Sequence, residues 1–181
     1  MDSISLMRTS SSVAYIETIY YIIWNLDDYK PLNISLSDAL GMVWGEKLFE
    51  ESGEITGLKI TRVHPIEGVT TEVSFTSEIR GEGRFPSGQS LGSGIMTKYP
   101  HGIIDGTWHG SLMIAKDGDQ FMWWAHEKSK VVEGGNIKGL NIMTGFTNSP
   151  KLSWMNNIIL ALEISGSVFS NKFKATGYEW K

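Results

Sequence analysis

Residues 70–80, Thr-Thr-Glu-Val-Ser-Phe-Thr-Ser-Glu-Ile-Arg, alternate apolar and polar side chains with a period of two. In an extended chain Val73, Phe75 and Ile79 fall on one side, and Glu72, Ser74, Thr76, Glu78 and Arg80 on the other. Such a strand belongs to an antiparallel sheet with one dry face and one wet face. Comparable runs occupy 43–51, 54–64, 90–99, 103–116, 119–132, 136–147, 158–165 and 172–180. Turn signals punctuate them: Ser52-Gly53, Glu67-Gly68, Pro86-Ser87-Gly88, His101-Gly102, Asp117-Gly118, Gly134-Gly135 and Asn148-Ser149-Pro150. Scarcely any helix-length apolar stripe lies between. The pattern predicts an all-β fold, an antiparallel up-and-down barrel of about eight strands. A short helical turn over 150–157 would cover one barrel end.

The bulk numbers fit one globular domain. The chain has 181 residues, 41% of them hydrophobic, with 20 glycines and no cysteine. The lack of cysteine removes disulfides, thiol catalysis and thiolate metal sites, and fits a cytoplasmic protein. A formal charge of −4 argues against nucleic acid and an anionic membrane as partners. Residues 1–36 read as an N-terminal extension, either a helix packed on the barrel or a poorly ordered segment, with residues 37–181 forming the barrel domain. The apolar stretch Val13-Ala-Tyr-Ile-Glu-Thr-Ile-Tyr-Tyr-Ile-Ile-Trp-Asn-Leu26 contains Glu17 and is short for a membrane span. Without a basic leader or a small-residue cleavage site, it is not expected to be a signal peptide.

Two turns predict which residues line the interior. Asp117-Gly118 as a two-residue turn would set Trp108 opposite Glu127, Leu112 opposite Trp123 and Ile114 opposite Phe121. The reverse face would then pair His109 with His126, Ser111 with Trp124, and Met113 with Met122. Gly134-Gly135 would set Trp123 opposite Phe146, Ala125 opposite Thr144 and Glu127 opposite Ile142. Both turns place Trp108, Leu112, Ile114, Phe121, Trp123, Leu140, Ile142 and Phe146 on one wall. A slip of one residue would reverse a strand's faces.

Glu127 is the ionisable group on that wall. A carboxyl among indole and aliphatic groups has its pKa raised and suits proton transfer. The ordinary reading, and the favoured one, is a rim position reached by water, or pairing with a lysine or arginine. The expected ligand-binding residues are Trp108, Leu112, Trp123, Glu127, Ile142, Thr144 and Phe146, with Glu127 the candidate catalytic group. His109 and His126, facing across a strand pair, form a weak candidate metal pair that lacks a third ligand. No cofactor is expected. Met113, Met122 and Trp124 would share the outer face, which fits a homo-oligomer contact. Gly92-Ser-Gly94 and Gly81-Glu-Gly83 read as bends or bulges at barrel corners.

The block Gly45-Glu-Lys-Leu-Phe-Glu-Glu-Ser-Gly53, then Ile55-Thr-Gly57, and the ending Gly177-Tyr-Glu-Trp-Lys181 resemble an uncharacterised group of prokaryotic barrel proteins. Asp105-Gly-Thr-Trp-His-Gly110 before a Lys-Asp-Gly turn is similar to lipocalin-like (calycin) barrels and, more faintly, to the allene oxide cyclase type. The likeness spans residues 38–181. The lipocalin resemblance implies a small hydrophobic ligand inside the barrel. The cyclase resemblance implies rearrangement of an oxidised fatty acid without a cofactor. Three functions are thus expected in order: a binding protein for a small hydrophobic molecule, an isomerase, cyclase or hydrolase acting on a lipid-like substrate, and a structural barrel with a solid core.

Overall fold

The computed structural model describes residues 44–180, and the expectations for residues 1–36 lie outside these. Eight antiparallel strands follow one another around a closed barrel, each paired with the next and the last with the first. They are β1 (Trp44–His64), β2 (Gly68–Gly81), β3 (Gly88–Lys98), β4 (Ile103–Ile114), β5 (Gln120–Val131), β6 (Asn136–Phe146), β7 (Leu160–Ser167) and β8 (Lys172–Trp180). The up-and-down topology and strand number are those predicted. The helical turn is present as a 3-10 helix, Pro150–Asn157. No helix among the described residues is long and apolar enough to cross a membrane.

One predicted turn is absent. Ser52-Gly53 lies mid-strand, so the runs 43–51 and 54–64 are a single strand of 21 residues. Gly53 is required there for space, because a Cβ would stand 2.2 Å from the Phe173 ring. The same holds for Gly92 and Gly94, which are neither bends nor bulges. They face inward along β3, beneath the rings of Phe75 and Trp108.

The two hairpins that were to fix the interior both differ from expectation. β4 and β5 are joined by residues 115–118, with Ile114 N–H donating to Asp119 at 2.8 Å. Trp108 therefore faces Ala125 and Leu112 faces Phe121, an offset of two residues that leaves the faces unchanged. The offset separates the histidines: His109 faces Trp124, and His126 faces Thr107. The β5–β6 turn contains three residues, Glu133–Gly135, with both glycines at φ 73°. That one additional residue slips the register by one. Met122, not Trp123, faces Phe146; Ala125 faces Met143; Glu127 faces Asn141. The predicted faces of β6 are reversed, and Leu140, Ile142, Thr144 and Phe146 do not point inward.

One barrel end is packed solid. Leu48, Phe49, Phe121, Met155 and Leu160 are all within 1% of complete burial there. The 3-10 helix closes this end: Asn156 clasps Thr147, accepting its N–H at 2.8 Å and donating to its carbonyl at 3.0 Å. Outside it, Arg84 stacks 4.2 Å above Trp154 and forms a fork to both oxygens of Glu179.

Candidate functional site

Above that floor the strands separate around a cavity of about 160 Å³. Inward positions of all eight strands line it: Ile55, Phe75, Met96, Trp108, Trp123, Asn141, Ile164 and Phe173 represent one from each. Met96, Ile137 and Ile164 are half-buried and ring the end nearest the β3–β4, β5–β6 and β7–β8 turns. The rings pack on one another. Phe75 meets Trp108 edge-on at 5.9 Å, Phe173 edge-on at 5.3 Å, and Trp123 stacked at 6.0 Å.

Few polar groups interrupt this surface. Glu127, on β5, is 7% exposed and accepts the hydroxyl of Ser129, two residues along the same strand. Burial pushes its carboxyl above the ordinary value of 4.5, against the opposing effect of the Ser129 hydroxyl and the Trp108 indole. The indole lies across Gly106, the residue facing Glu127 on β4, and its Nε1 comes within 2.8 Å of where a Cβ would stand. Neither this Nε1 nor Asn141 Oδ1, on the residue facing Glu127 from β6, has a hydrogen-bond partner among the described residues. Both atoms are buried. A buried donor and acceptor left unmade cost roughly 1–3 kcal/mol each.

A second carboxyl shares the cavity. Glu51, on β1, accepts the Ser77 hydroxyl at 2.6 Å, and burial pushes its pKa up as well. Glu51 is not legible as an interior residue in the sequence, since it ends the run 43–51 just before the Ser52-Gly53 turn signal. Trp123 Nε1–H donates to Ser90 Oγ at 3.2 Å and so is satisfied. Among the described residues, no lysine, arginine or histidine lines the cavity.

The predicted binding residues thus divide. Trp108, Leu112, Trp123 and Glu127 come together in the cavity wall. Ile142, Thr144 and Phe146 do not, because of the β6 register; Thr144 is exposed and Phe146 is 43% exposed. Their places are taken by Asn141 and Met143, whose inward orientation a three-residue turn would have signalled. The histidines do not form a pair: His109 Nε2 lies 3.1 Å from Ser93 Oγ, and His126 Nε2 lies 3.2 Å from Asp105. No group of three His, Cys, Asp or Glu among the described residues could hold a metal ion. Met113, Met122 and Trp124 do lie outward together, and Met122 faces Phe146 across the strands. A larger groove of about 670 Å³ on the outside carries Glu54, Glu78, Lys172 and Lys174. It is more open than the interior cavity and bears both signs of charge.

No family model and no curated protein matches this sequence. Solved structures do share its fold. A Clostridium acetobutylicum protein of unknown function is 17% identical, with TM-score 0.66 over 75% of this chain and 95% of its own. A β-barrel-like protein of Acinetobacter baumannii is 16% identical, with TM-score 0.63 over 75% and 94%. An enzyme from Penicillium herquei is 18% identical, with TM-score 0.50 over 74% and 92%. At these identities the likeness establishes the closed eight-stranded antiparallel barrel.

Proposed function

We propose that the barrel binds a small hydrophobic molecule in its interior, in the manner of lipocalin-like barrels. The observation that carries this is the interior apolar cavity of about 160 Å³ with two buried polar atoms, Trp108 Nε1 and Asn141 Oδ1, that have no hydrogen-bond partner among the described residues. Apolar walls with a few placed polar groups are the usual constitution of ligand sites. A cavity of about 150 Å³ lined by aliphatic and aromatic groups holds benzene, which sets the ligand at about one ring. That is smaller than the lipid-like substrate expected from sequence. A group able both to accept from the indole N–H and to donate to the amide oxygen, such as a hydroxyl, completes the site.

Saturation-transfer NMR with phenol, anisole and toluene tests this. Phenol should receive magnetisation from the protein most strongly, because anisole cannot donate and toluene can neither donate nor accept. Native mass spectrometry of freshly purified protein should show an added small mass. Absence of transfer to all three probes would end the proposal. A second reading, catalysis, is favoured by Glu127, a buried carboxyl with a raised pKa beside the proposed head-group position.

A further inference from the structure

Glu51 and Glu127 occupy opposite walls of one cavity. In a closed ring of eight consecutive strands, β1 and β5 are four steps apart in either direction. Each carboxyl accepts from one neutral hydroxyl, Ser77 or Ser129, and among the described residues the cavity lining holds no cation. Nearby charges lie outside: Asp105 pairs with His126 and Lys128 on the outer surface of β4 and β5. Asn141, 92% buried, and the Trp108 indole add unpartnered polar atoms on either side of Glu127. Two buried carboxyls on opposite walls of one apolar cavity can serve one substrate as acid and base.

We infer that this cavity is an acid–base isomerase site for small enolisable ketones, in which Glu127 and Glu51 exchange protons with opposite faces of one substrate. The inference rests on the proposed binding of a small molecule there. A β,γ-unsaturated ketone places its carbonyl oxygen at the Trp108 N–H. Glu127, as carboxylate, takes a proton from the carbon next to the carbonyl, and the C–H electron pair conjugates to give a dienolate. Glu51, as the acid, gives a proton to the γ carbon; the carbonyl re-forms and the remaining double bond lies between the α and β carbons. One proton leaves and one arrives, so no oxidant or reductant is needed. Exchange with water then restores the two carboxyls. As negative charge gathers on the dienolate oxygen, the hydrogen bond it accepts from the Trp108 N–H becomes stronger than the one the ketone accepts. The site is therefore more complementary to the reacting species than to the ground state.

The test uses 3-cyclohexen-1-one, a single ring, and follows the ultraviolet absorbance of conjugated 2-cyclohexen-1-one. The wild-type protein should accelerate conversion at least tenfold over heat-denatured protein, with deuterium from D₂O entering the γ carbon. Glu127→Gln and Glu51→Gln should each reduce turnover about a hundredfold, the scale of a lost general acid or base. Saturation transfer to 2-cyclohexen-1-one should remain within a few-fold in both variants. Glu51→Asp, which withdraws the carboxyl by one methylene, should be similarly slow and serves if Glu51→Gln does not fold. Wild-type protein that binds the enone without accelerating the reaction overturns the isomerase and leaves the binding site standing. Unchanged turnover in the Glu51 variants overturns the two-carboxyl assignment, and failure to bind either enone counts against the binding site itself.

Discussion

Six interior rings each lie over an inward residue that has no side chain. Phe173 covers Gly53, Phe75 covers Gly92, Trp108 covers Gly94 and Gly106, Trp123 covers Gly110, Phe121 covers Gly145 and Phe49 covers Gly177. A barrel of this size cannot hold a large side chain at every inward position, so bulky and empty positions alternate around it. Phe49 is completely buried, and a Cβ at Gly177 would stand 2.3 Å from its ring. Gly177→Ala should therefore destabilise by about 1–3 kcal/mol, the cost of overpacking a rigid core, read by urea unfolding. The buried carboxyls act on stability in the opposite sense to an ion pair. Burial holds Glu51 and Glu127 above their ordinary 4.5, so the folded protein retains protons that the unfolded chain releases. Stability must then fall as pH rises from 4.5 through the higher folded values. Thermal melts between about pH 4 and 9 should show this decline in wild type and much less of it in Glu51→Gln/Glu127→Gln. Glu163, raised by burial too, leaves a shallow residual slope.

At the level of strands and turns, legibility depended on loop length. β2, with its clean alternation, faces as read, and so do β4 and β5, because a loop two residues longer than expected preserves parity. β6 misled for a specific reason. Its apolar residues Leu140, Ile142 and Phe146 point outward, while Gly139, Asn141, Met143 and Gly145 point in. Gly139 leaves room for Ser129, Gly145 lies under the Phe121 ring, and Asn141 serves the cavity. Hydrophobicity therefore favoured the wrong face, and Gly134-Gly135 suits a two-residue turn as well as the three-residue one present. The assigned register has a direct check. Met143→Ala should cost about 2–5 kcal/mol as a buried truncation, and Phe146→Ala no more than about 1 kcal/mol, in chemical denaturation. The order would be reversed under the register with a two-residue turn. Glu127 and Trp108 were legible because they sit on strands whose parity survived. Glu51 and Asn141 were not, one hidden by an apparent turn and the other by the slipped strand.

For the molecule as a whole, the void is the counterpart of its rings: a packed floor, an aromatic wall and unfilled space above. Ala175 lines that space from β8. Ala175→Leu should occupy part of it, keeping or raising the melting temperature while eliminating saturation transfer to phenol. A fall in melting temperature by several degrees would mean the wall has no room to spare. Closure depends on one junction unlike the others. Seven pairings join neighbours along the chain, but β1 meets β8 across nearly the entire described length, from Trp44 against Trp180 to Glu54 against Lys172. Hairpins zip early, whereas a contact this distant has the greatest loop entropy to overcome, so the meeting of the two outermost strands should be the last step of folding. Until then the nascent sheet has two raw borders, each able to recruit a neighbouring chain, and the yield of soluble protein is decided by how quickly the ring snaps shut.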